Sequence, residues 1–147
     1  MHLDMGHIKE MEHKFQLNGI RLSYLSFPRR YSATAGTILQ RCLSEVNSFR
    51  NKMNRKLCVF KVGLTSSPIL RFEFYKDANY THMSLLHISE NLGQAQMLEA
   101  ALIALHISEK GCRNERYGGE GPPCSHGENF HYVYVVGARA DQLKPIR

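Results

Sequence analysis

Apolar and polar residues alternate around one turn signal between positions 14 and 27. Phe15-Gln16-Leu17 comes before Asn18-Gly19, and Ile20-Arg21-Leu22-Ser23-Tyr24-Leu25 follows in strict alternation. Asn-Gly supplies the positive φ of a two-residue turn, so the pattern predicts a β-hairpin over 14–27 that Pro28 terminates. Ahead of it, residues 1–13 show no period and read as a mobile end.

The period then changes. Ile38, Leu39, Cys42, Leu43, Val46, Phe49 and Met53 recur at helical spacing, which predicts a helix over 34–53 capped by Ser32 or Thr34. Residues 57–63 read as a short β-prone strand. Thr65-Ser66-Ser67-Pro68 turns the chain into a helix over 68–75, with Pro near its first turn. A strand over 83–89 follows. Ala95, Leu98, Ala101, Leu102 and Leu105 mark a helix over 92–109, which Gly111 ends. A polar Gly- and Pro-rich loop spans 111–129, and a last strand spans 130–136. The order β-β-α-β-α-β-α-β predicts an α+β domain over 14–147, with a small, mostly antiparallel central sheet flanked by helices.

Composition narrows the class. Of 147 residues, 43% are apolar and 22% charged, as in ordinary globular proteins. No apolar run approaches the ~20 residues that span a bilayer, so a membrane partner is not expected. Asp4, Glu10 and Glu12 interrupt any signal-like stretch, so an intracellular setting (cytoplasm or nucleus) is expected, with Cys42, Cys58, Cys112 and Cys124 as thiols or metal ligands. The net charge of +6 is concentrated. Residues 29–71 hold nine cations, Arg29, Arg30, Arg41, Arg50, Lys52, Arg55, Lys56, Lys61 and Arg71, against Glu45 alone. Residues 72–131 carry eight acids and four bases. A basic segment of this kind attracts polyanions, so Arg41, Arg50, Lys52, Arg55 and Lys56 are candidate nucleic-acid contacts; a solvated helix face is the plain alternative.

Some residues carry candidate chemistry. Glu99 stands alone in the apolar stretch 97–105. If buried it needs a cation, a metal or several donors; otherwise it points to solvent at a helix edge. His106 lies two turns on and reads as a packing residue. Arg71 follows a strand-turn, where its planar donors suit two phosphate oxygens. Tyr75, four residues later, shares its face.

The run Phe60-Lys61-Val62-Gly63-Leu64-Thr65, followed by Pro68, Arg71 and Tyr75, resembles the second motif of the GIY-YIG nuclease superfamily. Glu99 on a later helix and Asn114 just after it match the superfamily's metal-binding Glu and its following Asn. The resemblance covers about residues 57–120 within a motif-bearing core of 57–136. It implies a GIY-YIG-like fold and an endonuclease acting on DNA, ahead of RNA. It also implies one Mg²⁺ or Mn²⁺ held by Glu99, with Arg71, Glu99, Lys61, Tyr75 and Asn114 in the catalytic site. Lys61 stands where the motif has Tyr; it can bind phosphate or depress the pKa of a neighbouring phenol. The first motif is absent at its usual distance. Gly19-Ile20 with Tyr24 is one candidate remnant, and Tyr132 or Tyr134 on the last strand is an alternative source of the phenol.

A second constellation, Cys112, Cys124, His126 and His131, has the spacing C-x11-C-x-H-x4-H. That permits a structural zinc across the long loop but lacks a tight C-x2-C pair; free thiols and loop histidines are the alternative. Gly118-Gly119-Glu120-Gly121 follows a helix instead of opening one, so it is not read as a phosphate loop. Two further readings accompany the nuclease: a noncatalytic nucleic-acid-binding domain of the same fold, and the same scaffold doing unrelated small-molecule chemistry.

Overall fold

The computed structural model describes residues 5–22, 34–115 and 130–143. His131–Arg139 forms a strand (β4) that is buried along nearly its whole length. A strand apolar on both faces must be covered on both, and it therefore lies inside the sheet. Cys58–Thr65 (β2) and His82–Ser89 (β3) flank it, both antiparallel to it. A three-residue strand, Ile20–Leu22 (β1), pairs parallel with β3, giving the order β1-β3-β4-β2. The sheet is thus mixed but mostly antiparallel, and the fold is α+β.

Four helices cover the two faces: Met5–Leu17 (α1), Ala35–Lys52 (α2), Pro68–Lys76 (α3) and Leu92–His106 (α4). Along β4, Val133 and Val135 join Phe60 and Val62 of β2 under α2 and α4. Tyr132, Tyr134 and Val136 point the other way, against Phe15 of α1 and Phe72 and Tyr75 of α3. The period of two along β4 thus sorts its side chains into two cores, one per face.

The three later helices begin where the sequence indicates. The Thr34 hydroxyl accepts from Thr37 N at the start of α2, Pro68 opens α3, and the Asn91 side chain accepts from Gln94 N at the start of α4. α4 stops at His106, short of 109, and Gly111 follows at φ +102°.

The hairpin over 14–27 is corrected. Phe15-Gln16-Leu17 is the last turn of α1, and Asn18-Gly19 closes that helix instead of joining two strands. Asn18 N donates to Phe15 O, Gly19 N to Gln16 O, and Gly19 takes φ +74°. A left-handed glycine ends a helix as well as it turns a hairpin. The stretch 1–13, read as a mobile end, is helical from Met5 on. Of the second hairpin strand, Ile20–Leu22 is described; Tyr24 and Leu25 lie outside the described residues, as do Ser32, Arg29, Arg30 and positions 116–129. No helix among the described residues is long and apolar enough to cross a membrane.

Candidate active site

At the sheet's β2 edge, residues of α3 and of α4 line one surface. Gly111 to Asn114 run along this edge. Phe60 N donates to Gly111 O, and Arg113 N to Phe60 O. The Asn114 amide then copies a strand residue: its Oδ1 accepts from Val62 N at 2.9 Å and its Nδ2 donates to Val62 O at 2.8 Å. Beyond Val62 a cleft of about 710 Å³ opens.

Lys61, Arg71, Tyr75, Glu99, Asn114 and Tyr134 all line this cleft. The five residues singled out around the motif therefore converge. Asn114, however, bonds both backbone groups of Val62 through the two ends of its amide, so it positions β2. Glu99 is 8% exposed and is the one acid among the described lining residues. It sits two turns into α4, beside Leu98 and Leu102 of the core.

Gly63 and Thr65 shape the floor. Gly63 pairs directly with Tyr134 across β2 and β4. A Cβ on Gly63 would collide with the hydroxyl and ring of Tyr134. The buried Thr65 hydroxyl accepts from Ser67 N at 3.0 Å, which tightens the turn into α3. That turn sets Arg71 and Tyr75 one helical turn apart over the sheet.

The Tyr134 hydroxyl hydrogen-bonds the Tyr75 hydroxyl at 2.9 Å. Burial pushes the Tyr134 phenol well above the usual tyrosine range; Tyr75 and Glu99 add to this, and Arg71 opposes it. Tyr134 is therefore a phenol, not a phenolate, at neutral pH. Burial also raises the Tyr80 phenol, against the pull of Lys61. The rings form a chain, with Tyr75 5.9 Å from Tyr134, 5.2 Å from Tyr80 and 5.7 Å from Phe74. From the sequence Tyr134 is only an alternative phenol, because its contact with Tyr75 spans 59 positions. Phe74 was missed; its signal was the spacing Leu70-Phe74 alongside Arg71-Tyr75.

His106 is a packing residue. It is 2% exposed, its Nδ1 lies 2.7 Å from Leu102 O, and it meets the Phe60 ring edge-on.

The basic segment divides. Arg50 is 4% exposed, stacks over the Phe60 ring at 4.5 Å and pairs with Glu109. Its assignment as a nucleic-acid contact is corrected: it lies on the inner side of α2, with its charge already met. Arg41 is half-buried, paired with Glu45 at 2.9 Å and lying 3.3 Å from His87 Nδ1, so it too is engaged within the fold. Lys52, Arg55 and Lys56 are exposed.

The four-residue zinc site does not assemble as one unit. Cys112 bridges to Phe60, which pairs with Gly137, whereas His131 starts the same strand. Strand rise separates Gly137 from His131 by ~20 Å, far beyond what one zinc's ligands can span. His131 is buried against Ser89 of β3, and its Nδ1 finds no hydrogen-bond partner among the described residues. Cys124 and His126 lie outside the described residues. Among the described residues no group of three His, Cys, Asp or Glu could hold a metal. Cys42 and Cys58 are free thiols, and burial pushes the Cys42 thiol up to about 12.

Compared with protein-family models, with curated proteins and with solved structures, the chain matches none.

Proposed function

We propose that this protein is a metal-dependent endonuclease of GIY-YIG type that hydrolyses phosphodiester bonds. One observation carries the reading: Arg71, Lys61, Glu99 and the Tyr75–Tyr134 pair line one cleft. Two cations, one carboxylate and linked phenols form a set suited to an anionic ester attacked by water.

The donor set suits a hard cation. A magnesium or manganese ion takes one or two carboxylates and fills its remaining positions with water and substrate oxygen, so a single buried Glu99 is enough to hold one. When bound, such an ion neutralises charge on the phosphoryl group. The chain's own residues do the rest. Arg71 offers two parallel donors to the phosphate oxygens and holds them as charge builds. Lys61 adds a point charge beside it. The Tyr75 and Tyr134 hydroxyls hold water and direct its oxygen at phosphorus. The new P–O bond forms as the bond to a sugar oxygen breaks, and the proton that water loses matches the one the leaving oxygen gains.

The test is a cleavage assay on DNA and RNA oligonucleotides with and without Mg²⁺ or Mn²⁺. Cleavage is expected only with metal. Glu99→Gln, which keeps shape and removes charge, should abolish it, and Arg71→Ala should slow it by about a hundredfold or more. One observation favours a second reading: Lys52, Arg55 and Lys56 are exposed, which suits a noncatalytic nucleic-acid-binding domain. Binding without cleavage in either metal would establish that reading in place of the first.

A further inference from the structure

Helix α3 exposes two large apolar residues at the mouth of the cleft. Leu70 is 72% exposed and Phe74 63%, while Phe72 and Tyr75 of the same helix are buried. Leu70 and Phe74 lie one turn apart, so they form a single strip, and both line the cleft that holds Arg71. The Arg71 guanidinium carbon is 5.7 Å from the Phe74 ring centre. The Phe74 ring meets the Tyr75 ring edge-on, at 76° between planes.

An apolar strip next to cations fits a narrow class of ligand. A purely apolar partner would take the Arg71 guanidinium beside the strip out of water and bring no anion to it, which is costly. A bare phosphate would leave Leu70 and Phe74 in water. A nucleotide satisfies both, since it has an anion at one end and a flat π-face at the other. A paired base cannot serve, because the neighbouring pairs of the duplex cover its faces. The base must be splayed out of any stack before an aromatic ring can take it.

We infer that Leu70 and Phe74 form a stacking shelf for one unpaired nucleobase, so that the substrate is nucleic acid single-stranded at the nucleotide whose phosphate Arg71 holds. This inference rests on the nuclease reading and narrows its substrate. Stacking accepts any base, because each has a π-face, so the shelf selects for strandedness and not for sequence.

The test measures binding of the full chain by fluorescence anisotropy, without divalent metal so that nothing is cut. The probes are one mixed-sequence oligonucleotide, alone and annealed to its complement, in DNA and RNA forms. The single strand should bind about tenfold tighter than the duplex. Phe74→Ala should shrink that preference by about tenfold, and Phe74→Trp should keep or raise it. Phe74 is largely exposed, so melting curves of both variants should overlay the wild type. DNA and RNA arms that behave alike fit stacking alone; a preference confined to one adds a sugar contact to the same shelf. Equal affinity for both forms, or a preference that Phe74→Ala leaves unmoved, overturns the shelf. If the duplex is then cut once metal is added, the nuclease reading survives without it. If no probe is bound and none is cut, both fall together.

Discussion

Gly63 lies directly opposite Tyr134 across the β2–β4 pair, and the space a Cβ would take at position 63 is filled by the Tyr134 hydroxyl and ring. The glycine of the motif is therefore explained by clearance over a phenol, not by backbone freedom. Gly63→Ala should force Tyr134 off its rotamer and lower stability by about 1–3 kcal/mol. It should also break the 2.9 Å hydrogen bond to Tyr75. Combining it with Tyr134→Phe should not restore stability, because ring carbons as well as the hydroxyl occupy the space. Thermal melting of the single and double variants decides this, and full recovery in the double variant would refute it.

The sequence makes this relationship only half visible. The Gly-x-Thr spacing and the helix after it are local, so the turn into Arg71 can be read directly. Tyr134 arrives from the far end of the chain, and its register against Gly63 depends on sheet pairing that no window contains. The same limit explains the hairpin error. Phe15 faces Tyr132, 5.6 Å away between ring centres, and that long-range packing, not local alternation, decides that residues 15–17 are helical. α1 itself mixes His, Met, Glu and Lys without a clean stripe, which hid it from periodicity. The basic segment misled in another way. The number of charges in a segment does not say which side of a helix a guanidinium occupies, and Arg50 reaches inward along its own aliphatic stem.

Arg50 should matter to stability, not to binding. Its charge is stacked on Phe60 and paired with Glu109. Arg50→Ala removes that packing and strands a partly exposed carboxylate, for a loss on the order of 2 kcal/mol. Arg50→Met, which refills the space over Phe60, should recover part of it. Chemical denaturation of the two variants checks this; an unchanged midpoint in Arg50→Ala would contradict the buried role.

Lys52, Arg55 and Lys56 should behave in the opposite way. They are exposed, beside the start of β2, and strand rise sets Cys58 roughly 16 Å from Gly63 at the cleft. Bound nucleic acid a few nucleotides long could touch both. Replacing all three with Ala should leave the melting temperature within a degree or two. Affinity for oligonucleotides should drop, and the slope of log affinity against log salt should flatten by ~0.7–0.9 for each phosphate that is no longer neutralised. A triple variant with the wild-type salt slope would remove these residues from the interface.

Below neutral pH, His87 should make the protein acid-sensitive. Burial, with Arg41 adding to it, lowers its pKa from 6.5 to about 4. The unfolded chain then takes up a proton that the folded chain refuses. Stability is unaffected above 6.5, falls as the pH drops from there to about 4, and levels off below. The loss is on the order of 2 kcal/mol, after discounting for the imidazole's partial exposure. His87→Gln cannot take up the proton and should remove this part of the acid sensitivity. Melting temperatures of both proteins across that range provide the check; parallel curves would mean that other groups dominate.

Asn114 distinguishes a structural role from a catalytic one at the cleft's edge. Both ends of its amide bond the backbone of Val62, one accepting and one donating. Val62 lies between Lys61 and Gly63, so the amide fixes the strand that carries both. Asn114→Ala removes two buried hydrogen bonds and leaves the Val62 N–H and C=O unsatisfied, at about 1–3 kcal/mol for each group left bare. Asn114→Asp keeps the acceptor for Val62 N but turns a carboxylate oxygen toward Val62 O, so it should be no better than Ala. If Asn114 only positions β2, the loss of cleavage in each variant should track its loss of melting temperature, and cooling well below the transition should restore most of the rate. A residue touching the reacting phosphate would behave differently: its removal would slow the chemistry at every temperature, with the fold intact. Cleavage rates and melting curves measured on the same variants separate the two, and a rate that stays low in a fully folded Asn114→Ala protein would return Asn114 to the reaction itself.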